Sequence, residues 1–297
     1  MKVLIFGVGG MLGHKLYQVL GKRIEITGTI RGGVGRLKSY GIFEAGRIIE
    51  RTDVSDVYSV ERVITEVRPD VVINAVGVIK QKPSAKDVET TLTINSIVPN
   101  RLAAFSEQFG FRLICVSTDC VFKGDRGGYK ETDIPDALDL YGQSKHWGEV
   151  TDGNCITLRT SIIGHELASS HSLIDWFYSN NGGRVKGFKK AIYSGFPTIT
   201  FAKLVSDIIE DHTELRGLYH VSSEPIDKYS LLEMVRNQAG LDIQIEPDED
   251  FAIDRSLNSD RFRAATGFQP KCWEEMIDEM ISDPTEYSSP THPATSH

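Results

Sequence analysis

The chain has 297 residues, 40% of them hydrophobic, and a formal net charge of -8. That length and apolar content suit one large domain or two closely packed ones. The acidic balance, with a pI near 5.5, excludes a protein that coats nucleic acid, and no run of about 18 apolar residues is present to span a membrane.

The chain opens on Met1-Lys2-Val3-Leu4-Ile5-Phe6-Gly7, basic and then apolar. The apolar part is too short for a signal peptide and no cleavage site follows, so the run predicts a first strand at 2–6 and a cytoplasmic chain. Further strands are expected at 24–29, 47–50, 71–74, 112–116 and 155–158, with helices at 11–20, 57–67, 97–108 and 140–150. Continuous apolar strands separated by helices predict a doubly wound α/β domain, its parallel sheet covered on both faces. The four cysteines, at 115, 120, 155 and 272, lack metal-ligand spacing and fit a reduced chain better than a disulfide framework. Cys115 and Cys155 lie in apolar runs as small core residues.

From about residue 160 the pattern loosens. Helices are expected at 173–178, 201–211 and 230–239, and a short strand at 243–245. The Gly-rich, basic stretch 182–190 contains a basic run, 184–190, that could meet a diphosphate and fits an exposed loop at least as well, so it is left out of the candidate sites. A strand at 218–221 could rejoin the first sheet. Residues 283–297 are rich in Ser, Thr and Pro, which predicts disorder. The expected division is therefore 1–160, with a return strand near 217–222, then 161–282 and a tail at 283–297.

Gly7-Val8-Gly9-Gly10-Met11-Leu12-Gly13 follows the first strand and opens the first helix. Gly7 permits a tight turn, Gly10 lets the backbone approach a pyrophosphate, and Gly13 lets the helix pack closely on the sheet. The helix N-terminus then faces the anion, and dinucleotide binding is expected. The second strand ends Thr29-Ile30-Arg31, with Arg36 nearby and no acid for a ribose 2′-hydroxyl. An arginine there can pair with a 2′-phosphate, so NADPH is expected and NADH left open. Asp53-Val54, after the third strand, is placed to meet the adenine edge, or else Asp53 caps a helix. Asn74-Ala75-Val76-Gly77, after the fourth, offers small residues for backbone approach.

Ser117-Thr118-Asp119 ends the fifth strand, at the carboxyl edge where open α/β sheets bind ligands. A hydroxyl there can hydrogen-bond a substrate carbonyl. In Leu140-Tyr141-Gly142-Gln143-Ser144-Lys145 a phenol and an ammonium lie four residues apart, on one helix face. Such a cation lowers a phenol pKa towards neutrality and makes tyrosine a usable proton donor. A strand-end hydroxyl turn plus a surface helix is the ordinary alternative for each piece. The ordered set after a Gly-rich turn favours catalysis by Thr118, Tyr141 and Lys145.

Together these stretches resemble the extended short-chain dehydrogenase/reductases. Val116-Ser117-Thr118-Asp119-Cys120-Val121-Phe122-Lys123-Gly124, then Tyr129-x-Glu131-x-Asp133, then Tyr141-Gly142-x-Ser144-Lys145-x-x-Gly148-Glu149, look most like dTDP-4-dehydrorhamnose reductases. Leu158-Arg159-Thr160-Ser161 continues the likeness, which is dense through residue 161 and loose beyond. The resemblance implies a Rossmann-type N-terminal domain and a smaller C-terminal α/β lobe, with a nucleotide-sugar between them. It implies an NADPH-dependent reductase of a nucleotide-linked 4-keto-6-deoxyhexose, in deoxysugar and polysaccharide biosynthesis. Thr118 becomes the catalytic hydroxyl, Tyr141 the acid and Lys145 the cation that also holds the nicotinamide ribose. Asn95, in Thr93-Ile94-Asn95, is expected to help order the cofactor site. Extended members often dimerise, which leaves a homodimer open, though no residue marks an interface.

Cys120 stands where that family usually has an aromatic residue and where related 4,6-dehydratases carry a glutamate, which counts against dehydratase chemistry. GDP-fucose synthases place a cysteine there, with a later histidine, to epimerise carbons beside the ketone. Here the histidine would be His171, making a nucleotide-sugar epimerase or epimerase–reductase the first alternative. The second is a non-catalytic NADP-binding regulatory subunit, like the reductase-related subunit of methionine adenosyltransferase. The intact Thr118, Tyr141 and Lys145 set argues against it.

Overall fold

The computed structural model describes residues 1–43, 47–79, 87–167 and 170–287. Strand β1 (Lys2–Phe6) buries Val3, Leu4, Ile5 and Phe6 completely. Alternate side chains of a strand face opposite ways, and here both faces are covered. Val3 and Ile5 join Leu12 and Leu16 of α1 (Met11–Leu20), while Leu4 and Phe6 pack with Val60 and Ile64 of α2 (Val57–Val67). The continuous apolar run at the N-terminus is the mark of that double burial.

Strands β2 (Glu25–Thr29), β3 (Ile48–Ile49), β4 (Val71–Asn74), β5 (Arg112–Thr118) and β6 (Cys155–Thr160) follow. Helices α3 (Val88–Leu92), α4 (Val98–Phe109) and α5 (Leu140–Trp147) lie among them. Beyond come β7 (Ile162–Ile163), α6 (Leu173–Ser179), β8 (Arg184–Tyr193), β9 (Phe196–Pro197) and α7 (Thr198–Glu210). The chain continues through β10 (Gly217–His220), β11 (Ile226–Asp227), α8 (Lys228–Ala239), β12 (Gln244–Asp254), α9 (Asp260–Thr266) and α10 (Trp273–Ile281).

The main sheet runs β10-β6-β5-β4-β1-β2-β3, every pair parallel. All its carboxyl ends therefore share one edge, and the strand order reverses between β1 and β4. That reversal opens the crevice in which doubly wound folds bind ligands. The α/β Rossmann-type reading of the sequence is borne out.

Several stretches depart from expectation. Residues 182–190, read as an exposed loop, lead into β8, the middle strand of a sheet ordered β11-β8-β12. Its alternation is clear at the start, where Val185 and Gly187 are buried and Arg184 and Lys186 pair outside with Glu246 and Asp248; Lys189, on the buried parity, breaks it and pairs with Glu249 where β12 shifts register. The strand expected at 243–245 extends through β12 to Asp254 as the partner of β8. Helix α10 was not anticipated, although Trp273, Met276, Ile277 and Met280 repeat at helical spacing and are all buried.

The stretch expected to be disordered from residue 283 is packed through Tyr287. Lys15 binds Asp283 at 2.5 Å with both side chains buried, and His14 meets the Tyr287 hydroxyl at 3.0 Å. Residues 288–297 lie outside the described residues, as does the side chain of Arg36. Among the described residues no helix is long and apolar enough to cross a membrane.

Candidate active site

The Gly-rich turn lies at the carboxyl end of β1. Gly7 has φ +92°, a left-handed conformation that side chains rarely adopt, and a Cβ there would come 2.7 Å from Val76 Cγ2. A Cβ on Gly13 would overlap the Gly7 carbonyl, so the first turn of α1 sits directly on the strand end. Gly10 differs. It is exposed, and a Cβ on it would make only an ordinary 3.4 Å contact, so protein packing does not itself demand glycine. Gly10 is also the N-cap of α1, with no side-chain cap and no acid in the first turn. An uncapped helix end beside bare backbone fits a pyrophosphate. Met11 is half-buried at that end, and Leu12 turns into the core.

Arg31 is exposed just past β2, and its charge acts on Asp53 beyond β3. Hydrogen bonds from the Ser55 hydroxyl and N–H, with Arg31 adding to them, hold the Asp53 carboxyl below its ordinary range. Asp53 thus forms a local turn, while Asp56 caps α2 by accepting from the Tyr58 N–H. Val54 is buried, so only its backbone is available to a ligand. The structure adds an acid that the β2 sequence lacks: Glu50 accepts from the Val34 N–H at 2.7 Å.

Past β4, Ala75 and Val76 are half-buried and Gly77 is exposed, lining the crevice across from Gly7. Asn95 backs this wall from a single π-helical turn, Thr93–Ile97, set between α3 and α4. Its Oδ1 accepts from Val78 N–H at 2.9 Å, and its Nδ2 donates to the Val78 carbonyl and to Ser144 Oγ, each at 3.1 Å. Asn95 is therefore engaged with protein and orders the crevice rather than projecting into it.

Ser144 Oγ in turn donates to the Tyr141 carbonyl, and Ser96 Oγ donates to the Ser144 carbonyl. A Cβ on Gly142 would overlap the Cys120 carbonyl, and one on Gly148 would overlap the Asn95 carbonyl. The small residues of the Tyr141–Glu149 motif thus let α5 dock at both ends.

Three consecutive residues of β5 each hold one group from α5 or just past it. The Val116 carbonyl accepts from Lys145 Nζ at 2.7 Å, Ser117 Oγ donates to Glu149 Oε1 at 2.6 Å, and Thr118 hydrogen-bonds the Tyr141 phenol. Thr118 Oγ1 also accepts from the Cys120 N–H at 3.1 Å, fixing the turn that follows. Thr118, Tyr141 and Lys145 are thus brought together as expected from sequence.

Their electrostatics differ from expectation. Burial pushes the Tyr141 phenol up, nearby Cys120 adds to this, and the Thr118 hydrogen bond only partly offsets it. Lys145, turned to the Val116 carbonyl, does not supply the downward shift that the four-residue spacing suggested. Burial instead lowers Lys145 itself.

Cys120 lies on this turn, its thiol beside the Asp119 carboxyl and 3.9 Å from Arg255 Nη1. Burial raises the Asp119 pKa. His171 is exposed ahead of α6, with its N–H held by Glu166 at 2.6 Å. Arg255, one residue past β12, was not read from sequence. It donates from Nε to the Phe122 carbonyl at 2.7 Å, and nothing in its local spacing announces that contact.

A family model described as the RmlD substrate binding domain matches residues 1–285. The chain belongs to that family. It is 25% identical to a dTDP-4-dehydrorhamnose reductase of Aggregatibacter actinomycetemcomitans, over 93% of this chain and 97% of that protein. It is also 25% identical to the spore coat polysaccharide biosynthesis protein SpsK of Bacillus subtilis, over 95% of this chain and 97% of the other. Methionine adenosyltransferase 2 subunit beta of Danio rerio is 29% identical over 77% of this chain and 71% of that protein. Among solved structures, a hypothetical dTDP-4-dehydrorhamnose reductase from Sulfolobus tokodaii superposes with a TM-score of 0.76 at 25% identity, covering 92% of this chain and 98% of that one. The resemblance carried by the sequence motifs is borne out by this membership.

Proposed function

We propose that the protein is an NADPH-dependent reductase of a nucleotide-linked 4-keto-6-deoxyhexose. The observation that carries the reading is the hydrogen-bonded Thr118–Tyr141 pair, held at the carboxyl edge of the sheet that also bears the Gly-rich turn. Its setting in a family with relatives named dTDP-4-dehydrorhamnose reductase supports the substrate class.

When bound, the dinucleotide supplies the hydride. Gly7, Gly10 and Gly13 would receive its pyrophosphate at the α1 N-terminus, with Ala75, Val76 and Gly77 on the opposite wall. Arg31 is exposed where a 2′-phosphate would lie, which favours NADPH. The raised pKa keeps Tyr141 protonated at neutral pH, so its hydroxyl is ready to donate to a developing alkoxide. Thr118 supplies a second hydrogen bond to that oxygen, and Lys145 adds positive charge and a ribose contact. A closed crevice contributes through proximity.

NADPH oxidation with dTDP-4-dehydrorhamnose, and separately with dTDP-4-keto-6-deoxyglucose, in deuterated water tests the reading. Reduction with no carbon-bound deuterium supports a plain 4-ketoreductase. Deuterium at C3 or C5 above an enzyme-free control would favour epimerisation through Cys120. In the Tyr141→Phe variant turnover should vanish while NADPH affinity holds; retained turnover would remove Tyr141 from this role. A regulatory subunit is a second reading, favoured by the likeness to methionine adenosyltransferase 2 subunit beta. NADPH binding without turnover of any keto-sugar, together with stoichiometric copurification with an enzyme, would establish it.

A further inference from the structure

Five motif residues without a chemical role so far meet in one buried chain behind the candidate site. Ser117 Oγ donates to Glu149 Oε1 at 2.6 Å, and Arg159 grips the same carboxylate through Nε and Nη2, each at 2.6 Å. Arg159 Nη1 reaches His220 Nε2 at 3.1 Å. His220 then donates from Nδ1 to the Tyr129 carbonyl at 2.9 Å, and its N–H donates to Glu131 Oε1 at 2.8 Å. The Glu149 and Arg159 side chains are 4% and 2% exposed, and His220 is fully buried.

A buried ion pair of this kind gives little net stability compared with apolar packing, and its best-attested contribution is a fixed geometry. The chain is well placed for that. Ser117 immediately precedes Thr118 on β5. Glu149 lies four residues past Lys145, and its charge acts on that ammonium. Arg159 and His220 stand on the next two strands, β6 and β10, in register with each other. Tyr129 and Glu131 belong to the loop that leads from β5 into α5.

We propose that this chain positions Thr118 and Lys145, and that His220 makes the positioning sensitive to acid. The inference uses the reductase reading only for its turnover measurement. A guanidinium has no acceptor, so His220 Nε2 must accept from Arg159, and its single proton sits on Nδ1. A second proton on Nε2 would face a group that can only donate. The charged groups around His220 are Arg159 from β6, Glu149 past α5, and Glu131 and Asp133 from the loop, with the Phe122 ring edge-on. Burial, with Arg159 adding to it, lowers the His220 pKa, and Glu131 opposes this. The neutral, bonded form thus prevails at neutral pH and is lost on acidification below the usual histidine range.

The test follows the His220 imidazole nitrogens and the backbone amides of Thr118 and Lys145 by NMR, from about pH 8 down to about pH 4. Kinetics run in parallel on wild type and His220→Gln. Both amides should titrate with the His220 midpoint in wild type and stay flat in the variant. Wild-type kcat should fall about tenfold per pH unit below that midpoint, the slope of one titrating group, with KM little changed. In His220→Gln this acid limb should be absent. Amides that ignore the His220 midpoint, or an acid limb unchanged in the variant, would overturn the proposal. If His220→Gln does not fold, Ser117→Ala cuts the chain at β5 instead. There Thr118 should lose its His220-linked titration while Lys145 keeps it, and a Thr118 titration unchanged from wild type would defeat the idea. A wild type that turns over no keto-sugar sinks the reductase reading alone, because the amide titration still decides the positioning.

Discussion

Lys145 donates from Nζ to the main-chain carbonyl of Val116 at 2.7 Å. One helical turn earlier Tyr141 meets Thr118, so strand β5 grips one face of α5 at two successive points. Replacing Lys145 by Met removes the ammonium and this anchor together. Turnover should fall by about 10²–10³, within the range of general acid–base contributions, with NADPH affinity also reduced. Steady-state kinetics with a separate NADPH titration would check this, and wild-type turnover would exclude Lys145 from the site.

Thr118 has three attachments: its hydroxyl donates to Asp119 Oδ1 at 3.1 Å, accepts from the Cys120 N–H and bonds the Tyr141 phenol. Thr118→Val keeps the shape and removes all three, so kcat should drop by about 10² and stability by about 1 kcal/mol. Thr118→Ser retains the hydroxyl and should recover most of the turnover. If Val and Ser behave alike, the hydroxyl has no part in the chemistry.

Gly148 tests the docking of α5. A methyl group there overlaps the Asn95 carbonyl, whereas one on Gly35 would meet nothing within 4 Å. Gly148→Ala should lose about 1–3 kcal/mol or more by overpacking, and Gly35→Ala should leave the melting temperature nearly unchanged. Thermal unfolding of the two variants side by side gives the comparison. Equal stability would mean that α5 can shift without cost.

Glu149 is held at about 2 in pKa: burial pushes it up, but hydrogen bonds from Arg159 and His146 and the Arg159 charge outweigh that. Glu149→Leu leaves the buried Arg159 guanidinium uncompensated, which should cost about 3–5 kcal/mol. Urea unfolding would measure it. A loss below about 1 kcal/mol would mean that water reaches Arg159 in the variant.

His14 carries a pH signature of its own. Burial lowers its pKa from 6.5 to about 4, while Nδ1 stays bonded to the Gly10 carbonyl. Between those values the unfolded chain binds a proton that the folded one does not, so stability rises with pH across that window. Acidification from pH 6.5 to pH 4 should therefore remove about 3 kcal/mol, with no further loss from this residue below it. His14→Asn should flatten that slope in urea titrations at several pH values. An unchanged slope would place the acid sensitivity elsewhere.

Local spacing in the chain determined the alternation of strands and helices through β6, the Gly-rich turn after β1, and the placing of Thr118, Tyr141 and Lys145 on one strand end and one helix. Those features depend on neighbours one to four residues apart, where side-chain direction follows from backbone geometry alone. The same signal is present at the start of β8 and in α10, where periods of two and of 3.6 match the burial. Only the tertiary structure showed how Ser117, Glu149 and Arg159 adjoin Thr118, Tyr141 and Lys145, and that His220 and Arg255 come to them from the far end of the chain. It also reversed the expected pKa shift of Tyr141, because burial and the direction of the Lys145 ammonium are properties of packing. Residues 117, 149, 159 and 220 meet because parallel strands β5, β6 and β10 lie side by side, and no interval along the sequence encodes that adjacency.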